Sequence, residues 1–242
     1  MSPEEHQAER NFQHANFYKL AAAPVFMATV TKCGCTFLKN LFYFLNTQEL
    51  HPEGPKIHDH ETTLLRASKE DHEAILESPY RFIVMRDPVD RFFSLYFEKI
   101  YGQGPHGMAW FQNEVGKKIG LDYTTNLDLQ GHQENALRLA QWIKKNLNGE
   151  TDQEKDFHWR RQSLKYSSVK GFDPTIITLD NLDQKLITLL NPVVPEIVQA
   201  IESVPRFNIS DKPFSFAEMK TPELTELIKG IYQLDYEKLE AL

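Results

Sequence analysis

Apolar residues in this 242-residue chain follow two patterns, short continuous runs and helical spacings. The run at 25–30 is mostly apolar and has the length of a buried strand, and the apolar positions at 37–45 that follow it recur at helical spacing. The run at 81–85 is followed in the same way by helical spacing up to Ile100, just before Gly102. Both segments therefore predict a strand, a turn and a helix.

Later segments continue this alternation. The pattern predicts helices at 133–147, 153–167, 181–190 and 222–240, a third strand at 175–179, and loops with short helices at 103–133. Strands that alternate with helices indicate an α/β fold with a mostly parallel sheet. One domain is expected over 1–242, with residues 1–20 as a polar N-terminal extension.

The composition is that of a globular protein, because 41% of the residues are hydrophobic and 12% are aromatic, enough to fill a core. A net charge of −7 disfavours a general polyanion-binding surface, so no nucleic-acid partner is expected. Any anion site must be a local cluster of cations. The sequence shows neither a secretory signal nor a long apolar span, and as given it is expected to be soluble.

Thiols and histidines give little reason to expect a structural disulfide or a metal. The two cysteines, Cys33 and Cys35, lie too close together for such a disulfide and are too few for a zinc site. They favour a reducing compartment, so a cytoplasmic location is expected; a lumenal domain without its anchor is the alternative. His58 and His60 flank Asp59, but no partner cluster with ligand spacing accompanies them, and no metal is predicted.

The first strand-to-helix turn, TKCGCT, has the features of an anion cradle. Gly34 lets the backbone approach a ligand, the N–H groups of residues 35–37 can point at phosphate oxygens, and Lys32 adds a positive charge. The candidate ligand-binding residues of this turn are Lys32, Cys33, Gly34, Cys35, Thr36 and Phe37. The turn lacks the second glycine and the Lys-Ser/Thr of nucleoside-triphosphate loops. The alternative is an ordinary turn with a solvated lysine.

The second turn begins with Arg86, which follows a strand. Asp87 can cap the next helix and Pro88 suits its first turn. Ser94 lies two helical turns further on, and an arginine with a nearby hydroxyl suits a terminal phosphate. The alternative is that Arg86 pairs with Asp90 and that Ser94 is a small packing residue.

Together the two turns resemble those of the sulfotransferases that use 3′-phosphoadenosine-5′-phosphosulfate (PAPS). TKCGCTFLK, which ends in Lys39, is similar to their 5′-phosphosulfate loop, and FIVMRDPVDRFFSLY is similar to their 3′-phosphate segment. With FHWRRQ and IYQLDYEKL, the chain looks most like carbohydrate sulfotransferases of the chondroitin 4-sulfotransferase and HNK-1 sulfotransferase type, over about 25–240. Departures at Arg161, Asp180 and Asn181 concern the acceptor side and leave the acceptor open.

The resemblance implies a P-loop-like three-layer fold, PAPS as co-substrate without a metal, and a carbohydrate or glycoconjugate hydroxyl as acceptor. Lys32 would stabilise charge on the leaving phosphate oxygen, and the N–H groups of residues 33–37 would hold the 5′-phosphate. Arg86 and Ser94 would bind the 3′-phosphate. The candidates for the general base, in order of preference, are His60, His158 and His58, since imidazole accepts a proton near neutral pH.

Other functions remain as alternatives. A nucleotide-binding module without turnover would need neither Lys32 nor a histidine base, so these residues favour an enzyme. A sulfotransferase for phenols or other small molecules would share the donor turns. A small-molecule kinase is disfavoured, because the Gly-Lys-Ser/Thr element is missing.

Overall fold

The computed structural model describes residues 17–102, 107–165, 171–207 and 212–242. These residues form two compact units. The first contains the described residues up to Arg86 and from Gln162 to Phe207, together with Leu242. The second contains the described residues of Asp87–Arg161 and those from Lys212 to Ala241.

The bounds of the regular elements are as follows. The strands are β1 Phe17–Lys19, β2 Val25–Ala28, β3 Tyr80–Met85 and β4 Thr175–Thr178. The α-helices are α1 Cys35–Thr47, α2 His72–Glu77, α3 Pro88–Leu95, α4 Ala109–Phe111, α5 Leu129–Leu147, α6 Leu182–Leu190, α7 Ile197–Ser203, α8 Phe216–Met219, α9 Pro222–Ile231 and α10 Gln233–Glu240. Single 3-10 turns lie at Gly54–Lys56, Glu61–Thr63, Lys69–Asp71, Gln162–Lys165 and Leu179–Asn181, and π-helical turns lie at Tyr96–Ile100 and Gln112–Gly116.

The first unit is built on a four-stranded sheet with the order β1-β2-β3-β4. β1 is antiparallel to β2, whereas β2, β3 and β4 are parallel, with Ala28 opposite Ile83 and Met85 opposite Thr178. The carboxyl ends of these three strands therefore lie at one edge of the sheet. Helix α1 packs on β1 and α7, and α6 packs on β3 and β4. This confirms the predicted α/β fold, a mostly parallel sheet flanked by helices and consistent with the P-loop-like class.

The second unit is helical. Its core is rich in aromatic side chains, since Phe93, Phe111, Trp142 and Trp159 are all buried in one cluster. Helix α9 packs on α3 and α5, and α8 packs on the same two helices. None of the helices in the described parts of the chain combines the length and the hydropathy that crossing a membrane requires.

Part of the predicted N-terminal extension belongs to the sheet. Residues 17–19 form β1, in which Phe17 and Tyr18 are buried against β2. Three residues are too few to show a strand period, so the sequence pattern missed this element. Residues 1–16 of the predicted extension lie outside the described residues.

The predicted helix at 153–167 is wrong. Within the described residues up to 165, only Gln162–Lys165 forms a 3-10 turn, and the preceding segment is irregular. Its polar groups bond elsewhere: the Trp159 indole N–H donates to Asn146 at 2.8 Å, and the Tyr232 hydroxyl donates to the Trp159 carbonyl at 2.8 Å. Tertiary hydrogen bonds thus hold this segment in place without a helix.

Other boundaries differ by a few residues. The predicted helix at 222–240 is divided at Tyr232, whose φ of −112° and ψ of 28° are not helical. The strands predicted at 25–30 and 175–179 end at Ala28 and Thr178. Of the loops and short helices predicted at 103–133, residues 103–106 lie outside the described parts.

The predicted helix after Arg86 is confirmed to Ile100, with its last turn π-helical. Its predicted cap is also confirmed, because the Asp87 carboxylate accepts from the Asp90 N–H at 3.0 Å. Pro88 occupies the first helical position, where its missing N–H costs no hydrogen bond.

Candidate functional site

The turn after β2 has an unusual backbone. Lys32 and Gly34 both adopt left-handed conformations, with φ of +67° and +72°. The left-handed conformation favours glycine at position 34, and a Cβ there would also lie 2.9 Å from a methyl carbon of Leu179, which would have to shift. The turn places Lys32 just beyond the carboxyl end of β2.

The start of α1 faces this turn. Gly34 is the N-cap, and among the described residues no side chain caps the helix and no acidic residue lies in its first turn. The first N–H groups of a helix have no intrahelical partners and carry the positive end of its dipole. The N-terminus of α1 therefore suits an anion.

A second arginine lies beside the turn and was not considered in the sequence analysis. The Arg206 guanidinium lies over the Phe37 ring, 3.5 Å from its centroid, and forms an ion pair with Asp183. It also lines an open pocket together with Leu179, the residue that approaches Gly34. Arg206 thus adds a cation close to the start of α1.

The side chain of Gln162 joins the two turns. The Cys33 thiol donates to the Gln162 amide oxygen at 3.1 Å, and the Arg86 N–H donates to the same oxygen at 3.0 Å. The Gln162 amide nitrogen donates to the Arg86 carbonyl at 2.8 Å. Gln162 is fully buried, so these hydrogen bonds are shielded from water. Both turns therefore lie within hydrogen-bonding distance of one side chain.

We expect Gln162→Leu to lower the free energy of unfolding by about 2–4 kcal/mol, because it leaves buried groups of Arg86 and Cys33 without their partner. Urea unfolding followed by circular dichroism measures this change. The control is Gln184→Leu, which replaces an exposed glutamine of the same unit and is expected to change stability by less than about 0.5 kcal/mol. Equal stability of the two variants would show that the Gln162 hydrogen bonds contribute nothing.

His58 contacts the first turn through both ring nitrogens. Its Nε2 lies 3.0 Å from the Thr36 hydroxyl and its Nδ1 lies 2.8 Å from the Lys39 ammonium nitrogen. Because an ammonium only donates, Nδ1 accepts from it, and in the neutral ring Nε2 carries the proton that is donated to Thr36. Burial lowers the pKa of Lys39 to about 8. His58 is therefore placed to support the turn, and neither nitrogen offers a lone pair to an acceptor hydroxyl.

His60, the base that the sequence analysis preferred, lies in a different environment. It is exposed, and its ring lies 5.8 Å from that of His51, which packs on Tyr43. Among the described residues, its side chain makes no hydrogen bond with the first turn. The structure therefore brings His58, and not His60, to residues 35–39.

Ser94 and His158 belong to the second unit. Ser94 is partly exposed on α3. His158 lies in the irregular segment 155–161, whose main chain is held by buried Arg91. The Arg91 guanidinium donates to the carbonyls of Arg160 at 3.0 Å and Phe157 at 3.3 Å. The segment is therefore fixed although it is not helical.

Asp156 orients the His158 ring. Its carboxylate accepts from the ring Nδ1 at 2.7 Å and from the His158 backbone N–H at 2.8 Å. Burial raises the pKa of Asp156, but these hydrogen bonds outweigh it and hold the pKa below its ordinary value. With the proton on Nδ1, the neutral ring has its lone pair on Nε2, for which the described residues supply no partner. A carboxylate-oriented imidazole of this kind can act as a general base.

A family model described as the sulfotransferase family matches residues 21–240. The chain belongs to the sulfotransferase family. No curated protein and no solved structure matches it significantly. Family membership identifies the protein as an enzyme that transfers a sulfuryl group to an acceptor, which confirms the coarser part of the predicted function.

Besides Arg206, two further residues of this sulfotransferase escaped the sequence analysis. Gln162 was quoted within FHWRRQ without a role, and Asp156 was not noticed. Asp156 could have been found from the sequence, because a carboxylate two residues before a histidine is a local signal. Gln162 could not, because its partners are distant in sequence.

No metal centre is evident in the described part of the sulfotransferase. None of its described histidine, cysteine, aspartate and glutamate residues form a group of three that could hold a metal ion.

Proposed function

We propose that this sulfotransferase moves the sulfuryl group from PAPS to a hydroxyl of a carbohydrate or glycoconjugate, which gives a sulfate ester and 3′,5′-adenosine bisphosphate. The observation that carries the proposal is the Gln162 side chain, which binds both Cys33 and the backbone of Arg86. A nucleotide with phosphates on the 5′ and 3′ carbons of its ribose needs two anion-binding turns close to one another, and the hydrogen bonds of Gln162 support such an arrangement.

The residues of the first turn fit the 5′ end of PAPS. Gly34 adopts a left-handed conformation, and the start of α1, which no side chain caps among the described residues, offers its N–H groups to the 5′-phosphate. Bound PAPS supplies a sulfonate on a phosphate leaving group. Lys32 stabilises the negative charge that develops on the oxygen between sulfur and phosphorus. Arg86 and Ser94 bind the 3′-phosphate, which distinguishes PAPS from ATP.

The acceptor needs a base, and of the three candidate histidines we favour His158. Its Nε2 takes the proton of the acceptor hydroxyl as the oxygen attacks sulfur, and Asp156 stabilises the resulting imidazolium. His158 also precedes Gln162 by only four residues in the sequence. His58 is assigned to the support of Thr36 and Lys39 instead.

A reducing compartment such as the cytoplasm suits this proposal. The Cys33 thiol is a hydrogen-bond donor to Gln162, and oxidation of its sulfur would remove that donor. The hydrogen bond between the first turn and Gln162 thus depends on a reduced Cys33.

The donor assignment is tested by thermal unfolding with 3′,5′-adenosine bisphosphate, AMP and ATP. We expect stabilisation of about 2.7 kcal/mol by the bisphosphate at one hundred times its Kd, and little by AMP or ATP at the same concentration. Arg86→Met is expected to reduce the shift with the bisphosphate, whereas Arg138→Met, which changes an exposed arginine, is expected to preserve it. An equal shift with AMP would contradict recognition of the 3′-phosphate.

A further inference from the structure

One aromatic ring next to the proposed base faces solvent. Phe157 is 53% exposed, more than any other aromatic side chain in the described residues. Its ring centroid lies 4.2 Å from that of His158, and the two planes are inclined by 32°. Phe157 therefore offers an apolar surface to solvent directly beside an oriented imidazole.

The position of Phe157 is fixed by its main chain. Its carbonyl accepts from buried Arg91, and the carbonyl of Trp159 accepts from the buried Tyr232 hydroxyl. Asp156 holds the neighbouring His158 by two hydrogen bonds. The ring is therefore presented on a rigid segment, which lowers the entropy lost when a ligand packs on it.

The other exposed aromatic ring of this unit has a different environment. Trp110 is 38% exposed, and its ring packs edge-on to Phe111 and 6.4 Å from that of buried Trp159. The ring of Phe157 instead lies against the imidazole of His158. This difference singles out Phe157 as the aromatic surface that adjoins a reactive group.

We propose that Phe157 binds a pyranose ring of the acceptor by stacking, next to His158. The C–H groups on one face of a pyranose form an apolar surface that packs on an aromatic ring, while its hydroxyl groups point outward from the ring. A sugar held on Phe157 thus presents hydroxyl groups beside the imidazole that removes the proton. The proposal rests on the sulfotransferase function above, and it specifies a cyclic carbohydrate as the acceptor class.

The test compares the wild type with Phe157→Leu, Phe157→Trp and the control Leu234→Ala, which removes another exposed apolar side chain of the same unit. Initial rates are measured with PAPS and either unsulfated chondroitin or N-acetyllactosamine oligosaccharides, with a phenol as a third acceptor. With an oligosaccharide that the wild type sulfates, we expect Phe157→Leu to raise KM about three- to tenfold and to change kcat little. This is the range that the loss of one aromatic contact gives. Phe157→Trp and Leu234→Ala are expected to keep the wild-type KM.

The outcomes separate this inference from the function on which it rests. An unchanged KM in Phe157→Leu, or an equal rise in Leu234→Ala, would overturn the stacking role while carbohydrate sulfation stands. Sulfation of the phenol without any carbohydrate would overturn both the carbohydrate acceptor and the role of Phe157. Thermal unfolding with 3′,5′-adenosine bisphosphate should be the same for all four proteins, which shows that each is folded and binds the donor product.

Discussion

Lys32→Ala is expected to lower kcat for sulfuryl transfer by about 10²–10³-fold, the usual loss when one group that stabilises developing charge is removed. Lys32 lies in the turn that follows β2, two residues before Gly34, the N-cap of α1. In the proposed mechanism, its ammonium acts mainly on the charge that appears in the transition state. The measurement is the initial rate with saturating PAPS, together with the Kd for 3′,5′-adenosine bisphosphate, which is expected to change much less.

The substitution itself should not disturb the turn. Lysine at φ of +67° already bears the cost of a left-handed conformation, and alanine bears a similar one. Lys56→Ala, which changes an exposed lysine of the same unit, is the matched control and is expected to keep full activity. If Lys32→Ala retained more than about a third of the wild-type kcat, a role in charge stabilisation would be rejected.

His158→Ala is expected to lower kcat by about 10²–10⁴-fold, the range for loss of a general base. The reason is that a neutral imidazole can take the proton of the acceptor hydroxyl, whereas the methyl group of alanine cannot. Initial rates with saturating PAPS and acceptor measure this loss.

Two further variants sharpen this result. Asp156→Asn should lower the rate as well, since a neutral amide stabilises the imidazolium less and no longer fixes the ring tautomer. His60→Ala, which removes an exposed histidine near His51, should keep a rate close to that of the wild type. Loss of rate in His60→Ala with full rate in His158→Ala would restore the order that the sequence suggested and reject the assignment to His158.

Local signals in the sequence were sufficient for the two strand–turn–helix units. The apolar run and helical spacing at 25–45 predict β2 and α1, and those at 81–100 predict β3 and α3. Asp87 and Pro88 predict the start of the second helix, because capping depends on residues a few positions apart. The helical spacing of apolar residues gave a wrong prediction at 153–167. Such spacing does not show which hydrogen bonds the backbone makes.

The sequence left open which of the three candidate histidines acts as the general base. His60, His158 and His58 are the same side chain, and residue type alone gives no reason to separate them. Their partners separate them, because an ammonium and a hydroxyl occupy both nitrogens of His58 while Asp156 leaves Nε2 of His158 with its lone pair. A tautomer is decided by such neighbours.

By itself, the sequence determined strands β2, β3 and β4, most of the longer helices and the residue types of the two turns, because these depend on spacing within about a dozen residues. Only the tertiary structure decided that Gln162 binds Cys33, which is 129 positions away, and also Arg86, which is 76 positions away. It likewise decided that Phe17 and Tyr18 join the sheet. Contacts of this kind form when folding buries distant segments together, and no local pattern of hydrophobic and polar residues encodes which partner each buried polar group will find.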